Sequence, residues 1–157
     1  MAAVVILGAG VAGHTAAQYA RKMLGNEHSI TVVTPNSNWN WIPSNIWVFP
    51  LAPVYKKIGV NYIQALATEI WPEGDFVSSK GKVKFTKTNG EAAGQVGEIE
   101  YDYLVNATGP KLRFDLTPGL GPDHGGNSLS VCTYEHADAT AKEMKRISEV
   151  LKSGHRQ

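Results

Sequence analysis

The fold is decided by VVILGAGVAGHTAA, residues 4–17 of the chain. Val4–Leu7 is a continuous apolar run, which is typical of a parallel strand buried on both faces. A glycine turn over residues 8–13 follows this run, and the alanine-rich segment 12–24 then predicts a helix. A second β-rich run, Ile30–Thr34, completes a β-α-β unit.

The glycine turn has GxGxxG spacing between a predicted strand and a predicted helix, which is the context of a dinucleotide-binding motif. Gly8 permits the tight turn, Gly10 lets a pyrophosphate approach the backbone, and Gly13 lets the helix pack closely on the strand. Free N–H groups and the helix dipole provide the anion site. The candidate cofactor-binding residues here are Gly8, Ala9, Gly10, Val11, Ala12 and Gly13.

The end of the second strand bears on which dinucleotide binds. An acidic residue at this position holds the ribose hydroxyls of NAD, but this chain has Thr34 followed by Pro35. Thr34 can form a hydrogen bond, but it cannot form the charge-assisted bond of a carboxylate. NADP is not favoured either, because no arginine is nearby. We expect Thr34 and Pro35 at the ribose.

The rest of the chain predicts an α/β fold, with a mostly parallel sheet and an inserted antiparallel β-meander. Residues 35–53 and 112–128 have the composition of loops. Asn89-Gly90 is a hairpin turn signal within the meander. The further predicted elements are strands at Asn61–Ala65, Lys82–Lys87 and Glu98–Tyr101, a buried strand at Tyr103–Ala107, and a helix from Thr133 to about Lys152.

Composition limits the possible functions. The chain has 157 residues with 43% hydrophobic and 18% charged residues, which indicates a globular protein. Its net charge of +1 gives no field that would recruit nucleic acid. No signal peptide is visible and no metal site is indicated, so we expect a cytoplasmic or peripheral membrane protein. The single cysteine, Cys132, excludes a disulfide within this chain.

Three stretches carry a resemblance to a known family. NWIPSNIWV at residues 40–48 resembles the family segment F-x-P-S-N-x-W-V. ATGPKL at 107–112 resembles the second FAD signature of flavoproteins with two dinucleotide domains, and SVCTYEHA at 130–137 resembles S-x-C-T-x-x-H-A. Together they look like sulfide:quinone oxidoreductases, relatives of flavocytochrome c sulfide dehydrogenase. The resemblance covers almost the whole chain.

The resemblance implies a Rossmann-like FAD-binding domain over residues 1–157, the N-terminal part of a family member. It implies FAD contacts at Ile42, Pro43, Thr108 and Gly109. The cysteine that holds flavin covalently in the flavocytochrome branch has no counterpart here, so FAD is expected to bind non-covalently. Sulfide and quinone are the implied substrates, with membrane association through a C-terminal region beyond this chain.

Cys132 is the implied catalytic residue, because the family has a redox-active cysteine in this segment. The alternative is that Cys132 is a small buried hydrophobic residue. His136, four residues further on, can assist the thiol or simply pack at the start of the helix. Trp39, Trp41 and Trp47 can line the flavin or quinone side, or form an ordinary aromatic cluster.

Two alternative functions stay open at this stage. One is a flavin NADH:quinone dehydrogenase, whose chemistry needs no redox cysteine in this segment. The other is a non-catalytic dinucleotide-binding module or fragment. In the family the FAD domain is built from both ends of the chain, so we expect residues 1–157 to expose a sheet edge and an apolar helix face, and to fold marginally or self-associate.

Overall fold

The computed structural model describes residues 1–39, 49–121 and 128–154. These residues divide into two compact units. The first unit holds the described residues 1–39 and 49–109, and the second unit holds 110–121 and 128–154.

The first unit is built around a six-stranded sheet with strand order β7-β6-β5-β2-β1-β8. Strands β5, β2, β1 and β8 are parallel neighbours, whereas β5, β6 and β7 form an antiparallel meander. This arrangement confirms the predicted α/β fold. The elements are β1 (Ala3–Leu7), α1 (Val11–Leu24), β2 (Ser29–Thr34), β3 (Asn38–Trp39), β4 (Phe49–Pro50), α2 (Leu51–Ile58), β5 (Asn61–Trp71), β6 (Gly81–Lys87), β7 (Val96–Tyr101) and β8 (Tyr103–Asn106).

The central strands are buried on both faces, as the continuous apolar runs predict. On β1, Val4 and Ile6 join a cluster with the buried residues of α1 and α2, including Ala17 and Tyr55. Val5 and Leu7 point to the other face, where they pack in a second cluster with buried residues of the meander strands β5 and β6. The alternating side chains of β1 therefore pack against the helices on one face of the sheet and against the meander on the other.

The helix α2 was not predicted, because Pro50 and Pro53 stand at its start, in a segment where a loop was expected. The structure places Pro50 before the first helical residue and Pro53 within the first turn. Backbone N–H groups in the first turn of a helix have no intrahelical partner, so a proline there removes no hydrogen bond. Tyr55 of α2 is fully buried, and this burial fixes the helix against the sheet.

The meander is longer than its sequence pattern indicates. Strand β5 pairs with β2 over Asn61–Gln64 and then continues to Trp71 as the partner of β6. Asn89-Gly90 lies in the connection between the antiparallel strands β6 and β7, as its turn signal predicts, and this connection is long, because the last paired residues of the two strands are Thr86 and Val96. A short 3-10 turn at Gly90–Ala92 occupies part of this longer connection.

The strand predicted at Tyr103–Ala107 is present as β8, but its predicted burial is wrong. Strand β8 ends at Asn106 and lies at the edge of the sheet, beside β1. Tyr103 is 66% exposed and Val105 is 38% exposed. An apolar run resembles a central strand in sequence, but edge position is decided by the tertiary fold, so burial was not predictable from composition.

A buried lysine ties the meander to the loop between β5 and β6. The Lys82 ammonium lies 2.9 Å from Asp75 and 3.4 Å from Glu98, and its side chain is only 6% exposed. Asp75 also accepts hydrogen bonds from the N–H groups of Val77 and Ser78, both at 2.9 Å. The hydrogen bond from Lys82, followed by the two backbone bonds, lowers the pKa of Asp75 from 3.8 to about 2.

We expect Asp75→Asn to lower the free energy of unfolding at neutral pH. The folded state holds the pKa of Asp75 below its ordinary value, so ionised Asp75 stabilises the fold above about pH 4 and loses this effect as pH falls toward 2. Urea denaturation of wild type and variant across this range measures the difference. The exposed Glu91→Gln is the control. A difference that does not shrink in acid would contradict the assignment.

The described residues of the second unit, 110–121 and 128–154, contain one long helix, a 3-10 turn at Phe114–Leu116 and little other regular structure. Its elements are β9 (Leu120–Gly121), β10 (Ser128–Leu129), which pairs in parallel with β9, and α3 (Tyr134–Lys152). The predicted helix is therefore confirmed. Its apolar stripe is exposed in part, with Met144 at 64%, Ile147 at 40% and Leu151 at 67%.

We expect the chain to self-associate through the exposed apolar side chains of α3. Lysine at both Met144 and Leu151 would place charge on the stripe and shift the chain toward the monomer, measured by sedimentation velocity. Glu149→Lys changes the charge by the same amount on the opposite face of the helix and should leave association unchanged. Wild-type protein that stays monomeric and melts in one sharp cooperative transition would contradict this expectation.

Candidate dinucleotide-binding site

The candidate site lies where the chain order of the parallel strands reverses. Strand β1 pairs with β2 on one side and with β8 on the other. The carboxyl ends of β1 and β8 therefore stand side by side at a topological switch point, where open α/β sheets bind their ligands. The register pairs Leu7 with Asn106, and the Ala107 N–H donates to the Leu7 carbonyl at 2.8 Å.

The glycine turn after β1 is packed too tightly for side chains at two of its glycines. Gly8 has φ +90, and a Cβ there would overlap the Ala107 carbonyl oxygen and lie 3.0 Å from the Thr108 Cα. A Cβ on Gly13 would overlap the Gly8 carbonyl oxygen and lie 2.9 Å from its carbonyl carbon. These contacts hold the start of α1 against the ends of β1 and β8.

Gly10 differs from its two neighbours in the motif. Among the described residues nothing lies within 4 Å of a Cβ built on Gly10, and this residue is exposed. It caps α1, which has no acidic residue in its fully described first turn. Ala9 is buried, whereas Val11 and Ala12 are exposed. The open surface at Gly10 therefore leads directly to the first N–H groups of α1.

The end of β2 offers a backbone and a proline ring rather than a polar side chain. Thr34 is 2% exposed, and Pro35 next to it is exposed. The Pro35 carbonyl accepts hydrogen bonds from Thr88 Oγ1 at 3.0 Å and from Gln64 Nε2 at 3.4 Å. This position is thus fixed by one residue of β5 and by the residue that follows β6.

The turn after β8 contains a contact that sequence reasoning missed. Asn106 Oδ1 accepts hydrogen bonds from the Thr108 N–H at 3.3 Å and from the Thr108 hydroxyl at 2.9 Å. Thr108 and Gly109 are both exposed, and Gly109 has φ +74. The spacing of asparagine two residues before threonine was the available signal, since Asn side chains commonly bond the backbone two residues on.

An aromatic cluster at the first turn of α1 was also missed. His14 Nδ1 lies 3.1 Å from the Tyr55 hydroxyl, and the His14 and Trp39 rings are 5.2 Å apart. Burial lowers the pKa of His14, and burial with the nearby Tyr62 raises the pKa of Tyr55 to about 12. An apolar cavity of about 250 Å³ adjoins the cluster, lined by His14, Trp39, Phe49, Pro50, Leu51 and Val54.

The cluster was invisible in the sequence because α2, which carries Tyr55, was not predicted. Its packing against the core of the first unit favours the ordinary aromatic cluster for Trp39. Trp41 and Trp47 lie outside the described residues, as do the candidate contacts Ile42 and Pro43.

Cys132 belongs to the second unit, two residues before α3. It is half-buried, and its N–H donates to Ser130 Oγ at 3.0 Å. Thr133 caps the helix by accepting the His136 N–H at 3.3 Å. His136 is 3% exposed, and its ring centroid lies 4.3 Å from that of Phe114. Local hydrogen bonds therefore fix the backbone around the thiol.

A Rossmann-type sheet with a GxGxxG turn at its switch point is typical of dinucleotide-binding proteins. The chain belongs to the pyridine nucleotide-disulphide oxidoreductase family, whose family model matches residues 2–151. This is a family of flavin-dependent oxidoreductases.

Among individual proteins, the chain is similar to sulfide:quinone oxidoreductases. The chain is 31% identical to a sulfide-quinone reductase of Aquifex aeolicus, over 92% of this chain and 31% of that protein. It is 25% identical to the mitochondrial sulfide:quinone oxidoreductase of Dictyostelium discoideum, with the same coverage. The solved structure of the Aquifex aeolicus sulfide:quinone oxidoreductase matches with a TM-score of 0.72 and 29% identity, over 95% of this chain and 33% of that one.

These comparisons confirm the resemblance found in the sequence. The chain spans about a third of the length of the curated relatives it matches. A NAD-dependent persulfide reductase from A. fulgidus matches at a TM-score of 0.64 and 23% identity, which shows a shared fold alone. Among the described residues, no helix combines the length and hydrophobicity needed to cross a bilayer.

Proposed function

We propose that this chain binds FAD non-covalently at the carboxyl ends of β1 and β8, as part of an enzyme that oxidises sulfide and passes the electrons to quinone. The observation that carries the proposal is the packing of the glycine turn against Ala107 and Thr108, which leaves Gly10 open. Sulfide and quinone are the proposed substrates because the names of the relatives contain them.

The residues present fit a dinucleotide. A pyrophosphate needs backbone N–H donors and close approach, and the open Gly10 at the start of α1 offers both. The absence of an acid from the first turn of α1 removes a source of repulsion for phosphate. Gly8 and Gly13 make the tight packing that shapes this surface.

The proposed contacts follow the length of the dinucleotide. The pyrophosphate takes the backbone of Gly8, Ala9, Gly10, Val11, Ala12 and Gly13. The adenosine ribose lies at Thr34 and Pro35, and because the Thr34 side chain is enclosed, Pro35 provides the accessible surface. Thr108 and Gly109 lie along the flavin-side half. The family resemblance adds Ile42 and Pro43 to that half.

Cys132 is the proposed sulfur-handling thiol. Sulfide and the Cys132 thiol together give up two electrons and two protons as a sulfur–sulfur bond forms. When bound, FAD supplies the two-electron acceptor for this step. Support comes from the family resemblance of residues 130–137 and from the half-buried position of Cys132, which leaves part of the residue accessible.

Purified protein tests the function by its colour. Yellow protein that bleaches when sulfide is added without oxygen supports sulfide oxidation through flavin. Yellow protein that bleaches with NADH but not with sulfide would favour the NADH:quinone dehydrogenase. Colourless protein that binds adenine nucleotides but no flavin would overturn the proposal in favour of a non-catalytic module.

A further inference from the structure

The hydrogen bonds at the end of β8 fix which way the Thr108 hydroxyl points its proton. A backbone N–H only donates, so the Asn106 atom 3.3 Å from the Thr108 nitrogen is the amide oxygen. The Thr108 hydroxyl lies 2.9 Å from that same oxygen. Because an amide oxygen only accepts hydrogen bonds, the Thr108 hydroxyl must donate its single proton to Asn106 Oδ1.

What Thr108 offers to a ligand follows from this arrangement. Because the hydroxyl proton is already donated to Asn106, Thr108 can only accept a further hydrogen bond, through the remaining lone pairs of Oγ1. Thr108 is exposed, which leaves those lone pairs accessible. A phosphate is itself an acceptor and gains nothing from such a group, whereas a sugar or ribityl hydroxyl can donate to it.

We infer that Asn106 is a positioning residue that makes Thr108 select a hydroxyl-bearing segment of the dinucleotide. The inference rests on the proposed function and divides the site into two parts. The donor-rich start of α1 takes the pyrophosphate, and Thr108 beside it accepts a hydrogen bond from a hydroxyl on the flavin-side half. Asn106 acts through Thr108 and does not touch the ligand.

Strand pairing gives this arrangement its precision. Asn106 is the last residue of β8 and lies in register with Leu7 of β1. The Ala107 N–H donates to the Leu7 carbonyl at 2.8 Å, which holds the turn to β1. Thr108 is therefore attached to the same backbone frame that positions the glycine turn, and its hydroxyl keeps a fixed place relative to Gly8.

The test compares two ligands that share the adenosine half. FAD carries hydroxyls on its second half and ADP lacks that half altogether. Asn106→Ala should weaken FAD binding by about threefold to tenfold, the usual range for one hydrogen bond, and leave ADP affinity unchanged. Asn106→Asp keeps an acceptor oxygen, so the ratio of FAD to ADP affinity should stay at the wild-type value.

Two further measurements isolate the action through Thr108. Thr108→Val should lose FAD affinity as Asn106→Ala does, and the double variant should lose no more than either single variant. Amide exchange by NMR should show the Thr108 N–H protected in wild type and in Asn106→Asp, and unprotected in Asn106→Ala. The amide measurement needs no bound ligand.

The possible outcomes distinguish failure of this inference from failure of the proposed function on which it rests. If wild type binds neither FAD nor ADP, the proposed function fails, and the role of Asn106 fails with it. If wild type binds both, and Asn106→Ala weakens both equally or neither, the proposed function stands and only this inference is overturned. An unprotected Thr108 amide in the wild type would overturn it as well.

Discussion

Replacing Gly13 with alanine is expected to destabilise the chain by about 1–3 kcal/mol, the usual cost of forcing an extra carbon into a packed interior. The new Cβ would overlap the Gly8 carbonyl oxygen and lie 3.3 Å from the Ala107 Cβ. The closest of these neighbours belong to the backbone of the glycine turn, so relief requires α1 to move away from β1. Urea denaturation followed by circular dichroism measures the loss.

Gly10→Ala is the matched control, because it adds the same methyl group three residues away. Among the described residues nothing lies within 4 Å of that position, and φ is −68. The variant should lose no more than the N-cap preference of glycine over alanine, about 1 kcal/mol. If Gly13→Ala proved as stable as wild type, the close packing of α1 on β1 would be refuted.

Cys132→Ser should abolish the bleaching of bound flavin by sulfide, with a loss of about a thousandfold or more in rate, as expected when a reacting nucleophile is removed. Cys132 is the single cysteine of the chain, so no other thiol in it can take over. Serine keeps the size and backbone of the residue, including the N–H that donates to Ser130. Anaerobic stopped-flow absorbance measures the bleaching rate.

The same variant carries its own control. Cys132 lies outside the glycine turn and the turn after β8, so Cys132→Ser should keep the yellow colour and the wild-type melting curve. Lost bleaching in a protein that still holds flavin assigns the chemistry to the thiol. Sulfide bleaching at the wild-type rate would remove Cys132 from the reaction and leave it as a packing residue.

The parts of the fold that the sequence predicts are those with local signals. Three elements are predicted from their own residues alone: the apolar run of β1, the glycine turn and the alanine-rich α1. The meander was predicted from alternation within β6. By contrast, α2 is short and contains Pro53, and its formation depends on burying Tyr55 in the core, which is a tertiary effect.

The candidate site shows the same division. Gly8, Gly10 and Gly13 are recognisable from spacing, but only the structure shows which of them is packed and which is open. The enclosure of Thr34 was unpredictable, because it depends on tertiary packing around the end of β2. The contact between Asn106 and Thr108 is local in sequence, yet its meaning depends on the pairing of β8 with β1.

An FAD titration of wild type and Gly10→Ala, followed by quenching of flavin fluorescence, tests the central claim most directly. Wild type should show saturable binding. Gly10→Ala should remain folded and lose affinity by about tenfold or more, because its methyl group occupies the surface that a pyrophosphate must approach. Equal FAD affinity for the two proteins, or no FAD binding by the wild type, would contradict a dinucleotide site at the glycine turn.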